Sequence, residues 1–386
     1  MARTDLPGRR TLLAGAAAGM AWALAPHEGL AGPAGGGAAP PGPPAPPLSP
    51  LPAGRASVER YAAACCSIDI PNPTSRDGIP PRVKRMLEMV DYAVTGYAPF
   101  HDVRLVVFPE FAHAAPVYTT AEALAEKLAV ELPNDWTDLY VRKAREHGIY
   151  IQTGTFLEVD RRWPGHVFNT TCLVGPEGIV STYRKVNPWI PWEVHTSPHD
   201  LPGYDRPLFP VADTELGRLG VAICYDWLFP EVLRELALGG AEVLVRVSAY
   251  MDPWGTEAPM DWWTVTNRMR AIENVAAVVA CNQGSSLASY PPFSWPGGNM
   301  VVDHDGRVLA QAERGPGERI LVGPVDLAAL RAARERRRGH HMLAHLRSEA
   351  YPLARQPHYP AGSAAGGPPS IESQEQRIRE GRARLR

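Results

Sequence analysis

The sequence predicts an α/β fold in which mixed β-sheets are covered by helices. Between Tyr61 and Val325, short apolar runs rich in β-branched residues alternate with segments of helical periodicity. This alternation favours parallel strands connected by helices, whereas closely spaced strand runs at the end of the region favour hairpins. Parallel and antiparallel pairing together indicate mixed sheets.

Apolar periodicity and turn residues define the elements of the first half. Val83, Met86 and Val90 recur at helical spacing and predict a helix over 82–94. A second helix is predicted over 135–147, with Gly148 in the stop position. Strands are predicted over 61–70, 105–108, 149–156, 170–174 and 178–183, the last two joined by a turn at 175–178.

The second half continues in the same alternation. An apolar run, 220–223, leads into Cys224 and a helix over 230–238 that stops at Gly239. Another helix is predicted over 262–274. Strands are predicted over 242–247, 275–281, 300–303, 308–312 and 320–325.

Composition divides the 386 residues into three parts: 1–57, a domain over 58–330 and a C-terminal extension over 331–386. The first part is rich in Pro, Ala and Gly and contains Arg9-Arg10 ahead of an uncharged stretch over 12–25. This order predicts a twin-arginine export signal followed by a linker, and hence a periplasmic or secreted protein. The alternative is an Ala-rich disordered extension on a cytoplasmic protein. The uncharged stretch is shorter than the ~20 residues of a membrane-spanning helix, so we expect no span in the mature protein.

Charge and cysteine content narrow the classes of partner. Lys and Arg total 39 against 41 Asp and Glu, so the sequence carries no excess charge for nucleic acid or an anionic membrane. Five cysteines, an odd number, show neither disulfide nor zinc spacing. His340, His341 and His345 have no Glu between them and no further metal ligand in an obvious place, so they are interpreted as surface residues. We therefore expect no metal and no cofactor.

Three segments each end a strand-like run in a chemically active side chain. Glu110 follows 104–109, Lys185 follows 181–184, and Cys224 follows 220–223. Amide hydrolysis needs a nucleophile, a proton carrier and a positive group near the developing oxyanion. Each residue alone is ordinary, because a lone Cys at a strand end is more often packed in the core.

The set of motifs around these residues resembles the nitrilase superfamily of carbon-nitrogen hydrolases. The resemblance rests on these segments, listed in chain order: Phe108-Pro109-Glu110, Tyr183-Arg184-Lys185, Cys224-Tyr225-Asp226, Phe229-Pro230-Glu231 and 270–274. It implies a four-layer αββα sandwich. It also implies that Cys224 forms a thioester, that Glu110 acts as general base and then general acid, and that Lys185 and the backbone N–H of Tyr225 stabilise the oxyanion.

Segment 183–193 is most similar to the aliphatic amidase and formamidase group of that superfamily. By this resemblance Glu193 is a fourth catalytic residue that orients the amide nitrogen or the water. Phe111 stands where those amidases often have Tyr, and so lacks a hydroxyl. Trp189, between Lys185 and Glu193, is expected to wall the substrate pocket and to favour small acyl groups.

The sequence therefore predicts a homo-oligomeric hydrolase of a small amide, in which 331–386 is a possible oligomer arm. The first alternative is an N-carbamoyl amide hydrolase that would use Arg246 to hold a substrate carboxylate. A nitrilase ranks lower, because Tyr225-Asp226 differs from the Trp-Glu usual in nitrilases. The alternative outside enzymes is a catalytically silent oligomeric scaffold.

Overall fold

The computed structural model describes residues 58–70, 72–190, 192–252, 258–288, 293–355, 359 and 363–384. Within these residues the chain forms twelve strands and seven α-helices. The strands are β1 Arg60–Ser67, β2 Val103–Val107, β3 Tyr150–Val159, β4 Val167–Gly175, β5 Gly178–Arg184, β6 Val211–Thr214, β7 Gly217–Ile223, β8 Val243–Ser248, β9 Ala277–Asn282, β10 Met300–Val302, β11 Val308–Gln311 and β12 Arg319–Asp326. The helices are α1 Ile79–Tyr97, α2 Ala121–Lys127, α3 Asp135–His147, α4 Pro230–Leu238, α5 Trp262–Asn274, α6 Leu327–Arg336 and α7 Ile371–Arg384.

The strands form two six-stranded mixed sheets that pack face to face. The first has the order β12-β1-β2-β3-β4-β5 and the second the order β11-β10-β9-β8-β7-β6. Helices α1 and α3 cover the first sheet, and α4 and α5 cover the second. The α/β class and the four-layer αββα sandwich are thus confirmed.

Strand β1 shows why the layers form. Its alternate residues Tyr61, Ala63 and Cys65 enter the core between the two sheets. Ala62 and Ala64 enter the core between the first sheet and its helices. Because both faces of the strand are buried, the run is apolar throughout, as is usual for the parallel part of a covered sheet.

Several predicted elements agree with the structure residue for residue, and others differ at their ends. Helices α3, α4 and α5 have the predicted bounds, and α3 ends with Gly148 in the left-handed region at φ 64°. Helix α1 begins at Ile79 rather than Arg82, because Pro80 and Pro81 fill its first turn, where a missing N–H costs nothing. Helix α2 and strand β6 were not predicted, since both are short.

The C-terminal extension folds back onto its own chain. The side chain of Gln374, on α7, donates a hydrogen bond to the backbone oxygen of Glu193 at 2.8 Å. Arg377 bonds the hydroxyl of Tyr359 at 2.6 Å and that of Ser363 at 2.9 Å. Whether this extension also contacts a second subunit stays a prediction, as do the domain bounds.

Helices of the described residues do not reach the combined length and apolarity that a bilayer crossing requires. The predicted twin-arginine signal and linker, 1–57, lie outside the described residues. That part of the sequence analysis therefore stays a prediction.

Candidate active site

Glu110 lies just beyond the end of β2, in a sharp change of chain direction. The next residue, Phe111, has φ 57°, in the left-handed region that non-glycine residues rarely adopt. Its backbone N–H donates to the hydroxyl of Thr155 at 2.8 Å, which fixes the turn. Gly154 on β3 leaves room for the turn that carries Glu110, since a Cβ at Gly154 would lie 2.6 Å from the backbone oxygen of Pro109.

Lys185, at the end of β5, joins two carboxylates in the interior. Its Nζ lies 2.8 Å from Glu110 Oε1 and 2.8 and 2.9 Å from the two carboxylate oxygens of Glu193. The side chains of Lys185 and Glu110 have no exposed surface, and that of Glu193 is 6% exposed. A buried ion cluster is stable only when its remaining polar atoms are also satisfied.

Neutral donors complete the cluster. Asn169 Nδ2 donates to Glu110 Oε1 at 2.8 Å, and the backbone N–H of Ala249 donates to Glu110 Oε2 at 3.0 Å. The backbone N–H of Trp189 donates to Glu193 Oε2 at 3.0 Å. Glu110 is therefore held by both sheets: Asn169 belongs to β4 of the first, and Ala249 follows β8 of the second.

Cys224 stands at the end of β7 in a second strained turn. Its φ is 45°, and it begins a 3-10 turn, Cys224–Leu228. Asp226 fixes this turn: its carboxylate accepts from the Tyr183 hydroxyl at 2.7 Å, from the N–H of Ile223 at 3.1 Å and from the N–H of Asn187 at 2.9 Å. Strain of ~1–3 kcal/mol at such a residue persists only where the surroundings impose it.

Burial and charge set the proton affinities of the site. Burial, and then the charge of Glu110, raises the pKa of the Cys224 thiol to about 12. Burial also raises the pKa of Glu110, against the opposing effect of Lys185. For Glu193 burial acts upward as well, but Lys185 and His195 outweigh it and lower its pKa to about 2. At neutral pH the site thus holds a protonated thiol beside a carboxylate of raised basicity.

These groups open onto one cavity of about 540 Å³. Glu110, Glu193 and Cys224 line it, and we call them, with Lys185, the polar floor. The rest of the lining is mainly aromatic and aliphatic, and we call its principal members the apolar wall: Val117, Tyr118, Trp189, Trp192, Tyr250 and Trp295. The predicted site residues Phe111 and Tyr225 also line the cavity. All seven predicted site residues therefore lie in or around one site.

Comparison with known proteins assigns the family. The sequence profile described as carbon-nitrogen hydrolase matches residues 63–335, which is most of the chain. The chain belongs to the carbon-nitrogen hydrolase family. It is similar to the formamidase of Bacillus cereus (strain Q1), with 31% identity over 265 residues, 68% of this chain and 73% of that protein. The predicted place in the nitrilase superfamily, close to its formamidase and amidase members, is confirmed.

Solved structures agree with the fold of this carbon-nitrogen hydrolase. A Saccharomyces cerevisiae member of branch 10 of the nitrilase superfamily matches with a TM-score of 0.60 and 23% identity over 74% of this chain and 97% of that one. A mutant amidase of Nesterenkonia sp. AN1 matches with a TM-score of 0.56 and 20% identity over 77% of this chain and 97% of that one. That amidase carries the acetamide moiety of fluoroacetamide covalently on its active-site cysteine.

Further tryptophans of this carbon-nitrogen hydrolase lie in the cavity lining or in the core. Trp192, Trp262 and Trp295 line the cavity with Trp189. Trp263 is 1% exposed and packs in the core between the two sheets. Trp254 lies outside the described residues.

Arg246, considered above as a carboxylate clamp, is held elsewhere. Its Nη1 donates to Asn267 at 2.8 Å and to Thr266 at 3.0 Å. Its guanidinium lies 4.2 Å from the ring centre of Trp263 and 5.1 Å from that of Tyr250. Burial lowers its pKa to about 10. Its Nε and Nη2 are buried and have no hydrogen-bond partner among the described residues. The described residues that line the cavity include no Arg. The N-carbamoyl alternative, which relied on this arginine, stays a prediction.

Sequence reasoning did not find several groups of the site. Asn169 lies inside a strand run and had no motif around it. The Ala249 donor is a backbone atom, which side-chain patterns cannot reveal. Ile371 and Gln374 come from the C-terminal extension, where Ile371 lines the cavity and Gln374 binds the Glu193 carbonyl. The one available signal was the charged helical pattern at the end of the chain, which does not indicate what the helix packs against.

Proposed function

We propose that this amide-hydrolysing enzyme converts a small linear amide into a carboxylate and ammonia through a thioester on Cys224. The proposal rests on one observation: a thiol, a carboxylate of raised pKa and a buried ammonium meet at the floor of one cavity. The similarity to a formamidase supports the reaction class. The covalent adduct in the Nesterenkonia amidase supports a cysteine nucleophile.

In the first half of the reaction, Glu110 takes the thiol proton as Cys224 Sγ attacks the carbonyl carbon. The thiol needs this base, because its pKa of about 12 leaves it protonated at neutral pH. The carbon-nitrogen bond then breaks, and Glu110 returns the proton to the departing nitrogen. Ammonia leaves, and the acyl group stays on the sulfur.

In the second half, water replaces the amine. Glu110 takes a proton from water as the water oxygen attacks the thioester carbon. The carbon-sulfur bond breaks, Glu110 returns its proton to the sulfur, and the acid so formed gives its remaining proton to ammonia or solvent and leaves as the carboxylate. The net reaction consumes one amide and one water.

Lys185 and Tyr225 share the stabilisation of the oxyanion. Three carboxylate oxygens already surround Lys185 Nζ, so we assign its contribution to its fixed positive charge. The backbone N–H of Tyr225 lies in the first turn after Cys224, where N–H groups lack helical acceptors. We assign the direct hydrogen bond to it. Glu193 anchors Lys185 and orients the amide nitrogen or the water.

The decisive experiment measures acyl transfer. The full chain is incubated with acetamide in water, with and without hydroxylamine, and ammonia and hydroxamate are quantified. We expect hydroxamate to form at the expense of acetate, because both nucleophiles capture one thioester. Cys224→Ala and Cys224→Ser should release no ammonia, whereas Cys66→Ala, at a buried cysteine away from the cavity, should stay active. Ammonia release by Cys224→Ala would refute the mechanism.

We also propose that the enzyme is a homo-oligomer. Trp262, Val265 and Met269 lie three or four residues apart on α5 and are 43%, 58% and 44% exposed. Exposed apolar faces of this kind are typical of subunit contacts. Light scattering should show a lower mass for Val265→Lys/Met269→Lys, whereas Tyr92→Lys on α1 should leave the mass unchanged.

The proposed export stays a separate question. Residues 1–57 fused to a folded reporter should leave the cytoplasm only while Arg9 and Arg10 are intact. Retention of the reporter with both arginines present would refute export.

A further inference from the structure

The cavity is much larger than a formamide or acetamide molecule. Its volume is about 540 Å³. Formamide has three heavy atoms and fills roughly twice the ~30 Å³ that one water occupies in the liquid. A cavity in the range of ~300–1,000 Å³ is typical of sites that enclose much larger ligands. With Trp189 in its lining, the cavity therefore still has room for more than a formyl or acetyl group.

The chemistry of the cavity changes from one end to the other. Beyond the polar floor, the aromatic rings of Trp189 and Trp192 line the cavity side by side, and Phe293 packs on Trp192 from outside the lining. The ring centres of Trp189 and Trp192 are 5.0 Å apart, and those of Trp192 and Phe293 are 4.9 Å apart. Such rings bind another ring in offset or edge-to-face contact.

The proposed reaction fixes which end of the substrate meets this surface. The leaving nitrogen must receive a proton from Glu110, which is fully buried beside Lys185 and Glu193. The nitrogen therefore lies against the polar floor, where an N-substituent would displace buried hydrogen bonds. The acyl substituent then extends from the carbonyl carbon toward the apolar wall.

Charge excludes substrates with an acidic acyl group. Among the described residues that line the cavity, the charged side chains are Glu110 and Glu193. Arg246 is buried behind the Tyr250 and Trp263 rings and bonded to Asn267. A substrate carboxylate at the apolar wall would lose its hydration and find no cation among the described residues that line the cavity.

We propose that the preferred substrates are neutral primary amides whose acyl group carries an aromatic ring or a long apolar chain. This proposal rests on the proposed function, whose Cys224 chemistry places the acyl group. It specifies the substrate class through the apolar wall, chiefly Trp192 and Val117.

The test is a series of amides hydrolysed by the full chain: acetamide, butyramide, hexanamide and 3-phenylpropionamide. Burying one methylene contributes about fourfold to kcat/KM, and a ring contributes more. We expect a steady rise that reaches ~250-fold for hexanamide over acetamide and more for 3-phenylpropionamide. A flat or falling series would overturn this inference and leave the proposed function standing. Absence of turnover with every amide, together with absence of hydroxamate, would instead count against the proposed function.

Two matched pairs test orientation and charge. N-phenylpropanamide is an isomer of 3-phenylpropionamide that carries the ring on nitrogen, and we expect it to react at least ~100-fold more slowly, as its ring would displace the buried polar groups. Succinamate carries a carboxylate in place of the terminal methyl of butyramide and should react at least ~10-fold more slowly than butyramide. Product acids are followed by chromatography. Faster turnover of either disfavoured member would overturn the assignment.

Two variants locate the effect in the wall. Val117→Trp fills the cavity and should lower the ratio of kcat/KM for 3-phenylpropionamide over acetamide by ~10-fold or more. Trp192→Ala should lower the same ratio. Because the ring it removes is half-exposed, this substitution disturbs folding less than Val117→Trp. Val180→Trp, on an exposed part of β5, should leave the ratio unchanged. An unchanged ratio in both wall variants would overturn the proposal.

Discussion

The polar floor and the apolar wall of the cavity are built in different ways. Glu110, Lys185 and Cys224 lie at or just beyond strand ends, and the carboxylate of Glu110 is bound by groups on both sheets. The wall comes from connecting segments, with Ile371 added by the C-terminal helix α7. Floor residues are thus fixed by hydrogen bonds and charge, whereas wall residues are placed by packing. Catalysis requires reacting groups in fixed positions, which the floor provides. Substrate selectivity depends on the packing of the wall.

The difference can be tested through selectivity. A change in the floor should reduce turnover of all amides by a similar factor, because every substrate uses the same groups. A change in the wall should alter the ratio between large and small amides. The variants below are ordered from the largest expected effect to the smallest.

Lys185→Met should cause the largest loss. It leaves two carboxylates buried without their cation and removes the charge near the oxyanion. We expect kcat/KM to fall ~1,000-fold or more for acetamide and 3-phenylpropionamide alike, and the free energy of unfolding to fall by ~3 kcal/mol or more. Ammonia release and urea unfolding measure the two effects. Lys143→Met, at a partly exposed ion pair with Asp91, should change neither much.

Glu193→Gln should reduce turnover less than Lys185→Met does, and it should alter the pH profile of activity. Activity is lost as pH falls through the pKa of Glu110, which burial and the charge of Glu193 both raise. Removing that charge lowers the pKa of Glu110, so the acid limb of kcat/KM should move to lower pH. Loss of the anchor for Lys185 should also lower the rate about 100-fold. An acid limb that moves to higher pH would contradict this assignment.

Gly154→Ala should disturb the floor without changing any of its groups. The new Cβ would lie 2.6 Å from the Pro109 oxygen and 2.9 Å from the Ala112 Cβ, so the loop that carries Glu110 must move. We expect a loss of ~10-fold or more in kcat/KM for all amides. Gly96→Ala, on α1, is the control, because a Cβ there meets nothing within 4 Å. Unaltered activity in Gly154→Ala would show that the loop tolerates the shift.

Gln374→Ala should have the smallest effect and shows whether α7 belongs functionally to the floor or to the wall. It removes one hydrogen bond to the Glu193 backbone, worth ~0.5–1 kcal/mol, or about twofold to fivefold in rate. A loss equal for acetamide and 3-phenylpropionamide would assign α7 to the floor, and a changed ratio would assign it to the wall. Gln376→Ala, whose side chain bonds the exposed Glu380, should have no effect.

The match between prediction and structure differs along the chain for physical reasons. Helix α3 has its predicted bounds because local signals define both ends: Asn134 caps its start, and Gly148 adopts the left-handed conformation at its stop. Helix α2 has an equally local cap at Thr120 but extends over only seven residues, too few for apolar periodicity to distinguish it.

The sequence by itself determined the fold class and most of the order of strands and helices, and it predicted Glu110, Lys185, Glu193 and Cys224 as the chemical groups. These follow from periodicity, turn residues and motif, all of which are local in the chain. Only the tertiary structure decided that Lys185 bonds both carboxylates and that Arg246 bonds Asn267 and is absent from the cavity lining. It also decided that the last helix closes one side of the site. Those features depend on contacts between residues up to 181 positions apart, which no local pattern encodes.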